Sequence, residues 1–479
     1  MSEIAGAEIA GEGAADAPFE RSMGGFGALM ITLSGLSPTI GVFVVGADVI
    51  HQAGTGAALC FAAAALLGVA MALVYAELVS AFPETGAEYT IITRTIGPAL
   101  GFAALGLNLV NFTVAQALSG LGVADYLEGV LPGVSQLAVA LVLVAGVTVL
   151  AVLNVRFNAI LTGIFLVLEV GSLATLSWLG FSHPHRGLAE VVLHPVAVAS
   201  GGRLATASLA VMGAAASAAV YAFDGYGGVC SLGEEVREAP RKVAGVVFWS
   251  LGLAIVFQMT PVLAVMVGAP DVRALVTSAQ PLPDFILATG GPVMARVLSI
   301  GVAIAIFNAM LALSLLAARQ LYATGRDRLW PALMNRAFTR LHPRFRSPWV
   351  AALTMGGVSL AWCLAPLDFL VTVIATVTVA TYVGLCVAVI AGRRTRSTSG
   401  GVYRMPLYPL APLLGLAALG GVIFVSWSDP HEGRPGLVAT ALVIAVSLLV
   451  YGGLRLTGSR WADRGPGRAS ASRAAKGDV

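Results

Sequence analysis

About twelve runs of roughly twenty apolar residues govern what this chain can fold into, because that is the length a helix needs to cross the hydrocarbon core of a bilayer. They fall at 25–48, 56–80, 97–123, 135–153, 158–180, 205–231, 243–268, 293–322, 349–366, 369–391, 408–427 and 437–456. Hydrocarbon offers the backbone no partners, so only helices and closed barrels can span it. Barrel strands alternate apolar and polar residues, and these runs do not. Composition agrees: 57% of the 479 residues are hydrophobic and 11% charged, where soluble domains carry about 25% charged residues. The reading is an all-α polytopic membrane protein with about 12 transmembrane helices.

Orientation follows from the basic residues. With the N-terminus inside, 23 of the 28 lysines and arginines fall in inward segments and five (Arg186, Arg203, Arg273, Arg296, Arg434) in outward ones. That bias is the positive-inside pattern and puts both termini in the cytoplasm. Residues 1–22 lack the basic start of a signal peptide and read, with 457–479, as disordered tails. Cys60, Cys230, Cys363 and Cys386 lie in or beside apolar runs, where cysteine packs as a small hydrophobe. The preference for arginine over lysine, with abundant Ala, Gly and Val, points to a GC-rich bacterial genome.

Two runs are interrupted. The first contains Ser34-Gly35-Leu36-Ser37-Pro38-Thr39-Ile40-Gly41, and the sixth contains Phe223-Asp224-Gly225-Tyr226-Gly227-Gly228. Unwound backbone survives at membrane depth only where it faces protein, water or a ligand. Half-helix N-termini then offer donors to anions, and free carbonyls receive cations. Five spans separate the two breaks, so the helices run in opposite directions, as an inverted repeat requires. Paired interruptions of this kind point to the midplane site of a secondary transporter.

Four stretches in order then resemble the amino acid–polyamine–organocation superfamily of permeases. They are Tyr75–Tyr89 (YAELVSAFPETGAEY), Tyr221–Lys242 (YAFDGYGGVCSLGEEVREAPRK), LAARQLYATGRDRLWP ending at Pro331, and Tyr403–Gly415 (YRMPLYPLAPLLG). The resemblance implies a five-plus-five inverted repeat of the leucine-transporter type with helices 1 and 6 broken. Residues 23–391 would form the transport core (helices 1–10), and 392–456 the accessory helices 11–12. It also implies alternating access around a site between helices 1, 3, 6, 8 and 10. Carried over by position, the substrate would meet Ser37, Pro38, Thr39, Ile40 and Gly41 on helix 1. On helix 6 it would meet Tyr221, Ala222, Phe223, Asp224 and Gly225. Glu234 and Glu235 would form a cytoplasmic gate with Arg326. The chain departs from the family where many members carry Gly-Ser-Gly on helix 1. Thr39-Ile40-Gly41 stand there, and two Cβ atoms restrict backbone approach. Where several proton-coupled relatives have a helix 5 lysine, this chain has Phe165, with Glu169 one turn on.

Asp224 has three readings: countercharge to a substrate ammonium, proton carrier, or cap of the second half-helix. Glu169, in the middle of the fifth run, is either a protonation switch or a packing hydrogen-bond partner. Asn111 on helix 3 and Asn308 on helix 8 either bind a polar substrate group or bond between helices, as does Asn108. Ser314 is a weaker candidate for a sodium site with helix 1 carbonyls. His183, His185 and His194 share an outer loop without a carboxylate or cysteine to complete a metal set. No phosphate-binding loop, zinc-protease, nucleophile-elbow or kinase motif occurs, so neither ATP-driven transport nor enzymatic chemistry is read, and no cofactor.

The function expected is proton-coupled import of an amino acid or related small amine by alternating access, in a bacterial inner membrane. The partners would be that solute, a proton or sodium ion, and the bilayer, with no nucleic acid. The alternatives are an amine or polyamine carrier or exchanger of the same fold, and a non-transporting nutrient sensor.

Overall fold

In the computed structural model, the first apolar run folds as two helices. The structure describes residues 23–456 except 84–85, 129–132, 154, 199–202, 234–235, 279 and 431–432, and excepting also the side chains of 125, 128, 155–164 and 210. The expected tails lie outside the described residues. The first half, α1 (Gly25–Leu36), is closed by the Ser37 amide, which donates to the Leu33 carbonyl. Ser37 sits in the left-handed region at φ 46° and turns its hydroxyl onward to accept from the Ile40 amide. One residue thus ends one helix and caps the next, and Pro38 follows at the first helical position, where its missing donor costs nothing. The second half, α2 (38–53), continues through Pro38–Ile40, a π-helical stretch Gly41–Val45, and Gly46–Ala53.

α3 (Ala57–Ala81) and the short α4 (Ala87–Thr95) follow, then α5 (Pro98–Glu128), α6 (Gln136–Val152) and α7 (Val155–Ser182). The sixth run begins later than the expected 205, because Leu204–Thr206 pairs antiparallel with Val196–Val198. It holds α8 (Leu209–Ala222), whose N-terminus Ser208 caps. The chain then turns through Asp224 and Gly225, at φ 110°, and resumes as a 3₁₀ segment, Tyr226–Leu232. α9 (Ala239–Gly268), α10 (Pro281–Arg326), α11 (Trp349–Trp362), α12 (Leu367–Thr395), α13 (Leu410–Ser428) and α14 (Gly433–Leu456) complete the fold. α10 extends well beyond the expected 293–322 and bends at Gly291 (φ 77°), just before Pro292. α11 stops short of the expected 366, since a turn leads into Pro366 at the start of α12.

Among the described residues, eight helical segments are long and apolar enough to cross a membrane, with α6 and α11 as shorter apolar helices. The surface inverts the pattern of a soluble protein. Leu66, Trp249 and Phe424 are 74%, 67% and 73% exposed, while Glu169, Gln258 and Asn308 are fully buried. An outward apolar face with polar groups inside is what a lipid surround selects. The protein is an all-α polytopic membrane protein.

The halves of the broken helices pair crosswise. α1 lies against the 3₁₀ segment, where Met23 and Val236 form a bridge, and α2 lies against α8. The two broken helices therefore run antiparallel and their breaks meet. α10 and α12 pack around them and α5 reaches them through Asn111 and Tyr126, while α7 and α9 pack behind α1.

Candidate functional site

A cavity of about 870 Å³, measured out to its mouth, opens where the breaks meet. α1 and α2 contribute Gly35, Leu36, Ile40, Gly41 and Val45, and the broken sixth helix contributes Tyr221, Ala222, Asp224, Gly225, Gly227 and Gly228. Tyr75, Glu88, Asn108, Asn111, Thr381 and Tyr382 complete its polar lining. An ionised carboxylate can accept about four hydrogen bonds, and Asp224 takes three from side chains here. Its Oδ1 accepts from the Tyr382 hydroxyl at 2.9 Å, and its Oδ2 from Thr378 at 3.2 Å and Asn111 Nδ2 at 3.4 Å. Asn111 also donates to the Thr378 hydroxyl at 3.0 Å, so the donors support one another. Glu88 accepts from Tyr75 at 3.1 Å and from Asn108 at 2.8 Å. Tyr75, Tyr226 and Tyr382 meet edge to face or tilted, their centroids 5.5 to 6.3 Å apart, and bind the two polar groups into one aromatic wall. Among the described lining residues there are two carboxylates and no lysine, arginine or histidine.

The start of α2 borders the same cavity through Ile40 and Gly41. Glu169, from α7, is fully buried and aims Oε1 at the break, accepting from the Ser37 hydroxyl at 3.0 Å and the Thr39 amide at 2.9 Å. The carbonyl released at the other break has its own partner: Gln258 of α9 donates to the Ala222 oxygen at 2.8 Å. The same side chain lies against Gly41, where a Cβ would stand 2.7 Å from Gln258 Cδ. Glycine at 41 is therefore a packing requirement of the neighbouring glutamine.

The residues singled out in the sequence divide. Ile40, Gly41, Asn111, Tyr221, Ala222, Asp224 and Gly225 line the cavity. Ser37, Pro38 and Thr39 are buried behind it. Phe223 turns away into the core, against the Phe61 ring at 5.7 Å. Asn308 is fully buried outside the cavity and neither of its amide atoms has a hydrogen-bond partner. Ser314 bonds to Gln116 of α5 rather than facing α1. Arg326 pairs with the adjacent Asp327 at 3.4 Å, and Asp327 also accepts from the Tyr89 hydroxyl at 2.7 Å. Glu234 and Glu235 lie outside the described residues. No group of three His, Cys, Asp or Glu able to hold a metal occurs among the described residues.

Sequence reasoning missed Tyr75, Glu88, Thr378, Tyr382 and Gln258. Glu88 and Tyr75 sit inside the Tyr75–Tyr89 motif, and Gln258 is the lone amide in the apolar stretch GLAIVFQMTPVL of α9. An isolated polar residue in a span is the available signal.

Comparison with known proteins converges on one family. A family model described as amino acid permease matches residues 23–450. The branched-chain amino acid permease BcaP of Bacillus subtilis is 26% identical over 455 residues, covering 89% of this chain and 91% of that protein. The methylthioribose transporter of the same organism is 24% identical, covering 88% and 92%. The low-affinity putrescine importer PlaP of Escherichia coli K12 is 23% identical, covering 63% and 65%. With broken antiparallel helices around a polar cavity and a match over nearly its whole length, the chain belongs to the amino acid permease family, within the amino acid–polyamine–organocation superfamily.

Proposed function

We propose that this permease is a secondary transporter that imports a small ammonium-bearing solute across a bacterial cytoplasmic membrane by alternating access, driven by the proton gradient. The fold we assign is the five-plus-five inverted repeat of about 12 helices, with α13 and α14 as accessory helices. Family membership leaves the solute open: the three relatives are named for a branched-chain amino acid, a thiosugar and a diamine. The observation that carries the reading is Asp224. It stands on the break of the sixth helix, faces a cavity shared with Glu88, and has no cationic neighbour among the described lining residues. At about 4 Å, a carboxylate and an ammonium attract by roughly 4 kcal/mol at an effective dielectric constant near 20. That favours a cation over a neutral solute of equal size.

Alternating access is supported by a second cavity of about 630 Å³, lined by Phe43, Val44, Asp48, His51, Tyr126 and Asp368 among others. In the lining of this second cavity the Tyr126 hydroxyl donates to the Phe43 carbonyl at 2.5 Å and the two rings meet edge to face. We assign the coupling proton to Glu169. Its carboxyl is tied to the helix 1 break, so a change in its charge alters the grip of α7 on α2.

The test is a thermal-shift screen of the purified protein against amines and amino acids, since a ligand that binds only the folded state raises its melting temperature. Ammonium-bearing ligands should stabilise the wild type and lose that effect in Asp224→Asn. Equal stabilisation of both proteins by such ligands would refute the assignment.

A further inference from the structure

An exposed half-helix N-terminus at membrane depth is a ready anion site, because its first amides and the helix dipole both favour negative charge. The start of α2 is a half-helix N-terminus beside the cavity, but Ser37 and Thr39 are fully buried and its donors are already engaged. Pro38 has no N–H, the Thr39 amide donates to Glu169 Oε1 at 2.9 Å, the Ile40 amide to the Ser37 hydroxyl at 3.4 Å, and the Gly41 amide to the Ser37 carbonyl at 3.2 Å. The Ser37 hydroxyl itself donates to Glu169 Oε1 at 3.0 Å. The anion at this terminus is therefore a side chain of the protein, reaching in from α7 on the side away from the cavity. Glu169 does not line the cavity.

Resting on the ammonium-binding reading above, we propose that Glu169 is a specificity-determining residue. Its carboxylate takes the helix-start donors that a substrate carboxylate would otherwise use, so the permease selects amines that lack a carboxylate over the α-amino acids with the same side chain. Two features reinforce one another. With its early amides engaged, the terminus has no backbone donor left for a second carboxylate, and an unpaired carboxylate in a desolvated site is costly. The cavity meanwhile adds two carboxylates and no described basic side chain, so a zwitterion would bring its negative end into a field of the same sign. The buried hydroxyl of Thr39 has no hydrogen-bond partner, nor does Glu169 Oε2. Removing the glutamate side chain would thus leave a small polar hollow at the helix start with donors pointing into it.

The experiment compares matched pairs on the purified full-length protein: isobutylamine with valine, putrescine with ornithine, and cadaverine with lysine. Dissociation constants are read by calorimetry for wild type, Glu169→Ala and Glu169→Gln, with size-exclusion profiles confirming folded protein. Wild type should bind each amine at least about tenfold tighter than its amino acid partner, a difference of roughly 1.4 kcal/mol. That ratio should fall severalfold in Glu169→Ala. In Glu169→Gln, which retains the shape and loses the charge, it should fall as well; that variant decides the matter should alanine not fold. A ratio unchanged in every folded variant, or a wild type that prefers the amino acids, overturns the proposal. If the preferred amino acids still depend on Asp224, the ammonium reading stands and only the role of Glu169 falls. Should neither series bind, or should binding survive Asp224→Asn, the ammonium reading fails first and takes this inference with it.

Discussion

Gly225 and Leu36 touch backbone to backbone: a Cβ placed on Gly225 would lie 2.8 Å from the Leu36 Cα. The break of the sixth helix thus rests directly on the last residue of α1, and Gly225 holds φ 110° while doing so. Both conditions exclude a side chain. Gly225→Ala should lower the unfolding free energy by ~1–3 kcal/mol through strain at positive φ alone, and by more if the clash is not relieved. It should also separate the two breaks and reduce uptake. Thermal unfolding and uptake, measured on the same preparation, check both effects. A variant with wild-type stability and transport would mean that the breaks tolerate separation.

A second contact lends itself to a double-mutant cycle. Gly41 and Gln258 occupy one space, and Gln258 holds the Ala222 carbonyl freed by the break. Gly41→Ala should destabilise the protein by forcing the glutamine aside. Gln258→Ala should cost ~1–3 kcal/mol because a buried carbonyl is left unpaired. The two together should cost less than their sum, with a coupling of at least ~0.5 kcal/mol. Strict additivity in chemical denaturation would show that the contact is not felt.

The breaks were legible in the sequence because their residues are locally decisive. Ser37-Pro38 can end one helix and begin another, and Asp224-Gly225 admits a turn that no apolar triplet would. The apolar runs were legible because bilayer thickness fixes their length. What could not be read was helical phase. Tyr382 and Thr378 reach Asp224, and Gln258 reaches across to Ala222, because of how α12 and α9 are rotated about their own axes. Nothing local encodes that rotation: depth near the centre of helix 3 makes Asn111 the best of the asparagine candidates, but the sequence does not show that it faces the cavity while Asn308 faces the core. Glu88 is hidden differently: it lies in the first turn of α4, and α4 packs against the 3₁₀ segment of the sixth helix. No periodicity in the chain announces that contact.

Away from the cavity, Glu77 and Arg393 form a two-pronged pair, with Arg393 Nε at 2.7 Å from Oε1 and Nη2 at 2.6 Å from Oε2. Glu77 Oε2 also accepts from the Met405 amide at 2.9 Å, and the guanidinium lies 4.1 Å from the Tyr408 ring centroid. The pair ties α3 and α12 to the segment that leads into α13. Removing one partner of a buried pair typically costs ~3–5 kcal/mol. The Arg393 side chain is 24% exposed, so about 3 kcal/mol is the expectation for Glu77→Gln. Ligand affinity of the folded fraction should not change. A loss of affinity without loss of stability would place this pair in the transport cycle instead.

Glu88→Gln separates charge from shape at the cavity. Asn108 donates to Oε2 and Tyr75 to Oε1, so in the amide the oxygen can keep Asn108 while the nitrogen donates to the Tyr75 hydroxyl, and the fold should survive with little change in melting temperature. An ammonium ligand loses one of two attracting carboxylates and should bind about tenfold more weakly. A neutral ligand of matching size should be unaffected. Parallel titrations of a charged and an uncharged ligand check this, and equal losses for both would mean that Glu88 shapes the cavity rather than charging it.

The last prediction concerns coupling. Glu169 Oε1 holds the Thr39 amide and the Ser37 hydroxyl, so α7 grips the first helix at its weakest point. The deprotonated carboxylate is the stronger acceptor, and it also complements the positive end of α2. Protonation keeps the shape, removes the charge and loosens that grip. If this step admits the driving proton, uptake by wild type should rise as the external pH falls, for a substrate whose own charge is constant over the range. Glu169→Gln mimics the protonated form permanently. It should transport solute down its own gradient, with a rate that no longer follows pH, and it should fail to concentrate solute when a proton gradient is imposed. Proteoliposomes with controlled internal and external pH measure both quantities. Accumulation by Glu169→Gln with the wild-type pH profile would remove this carboxyl from the coupling step and leave it as a fastener between α7 and the break.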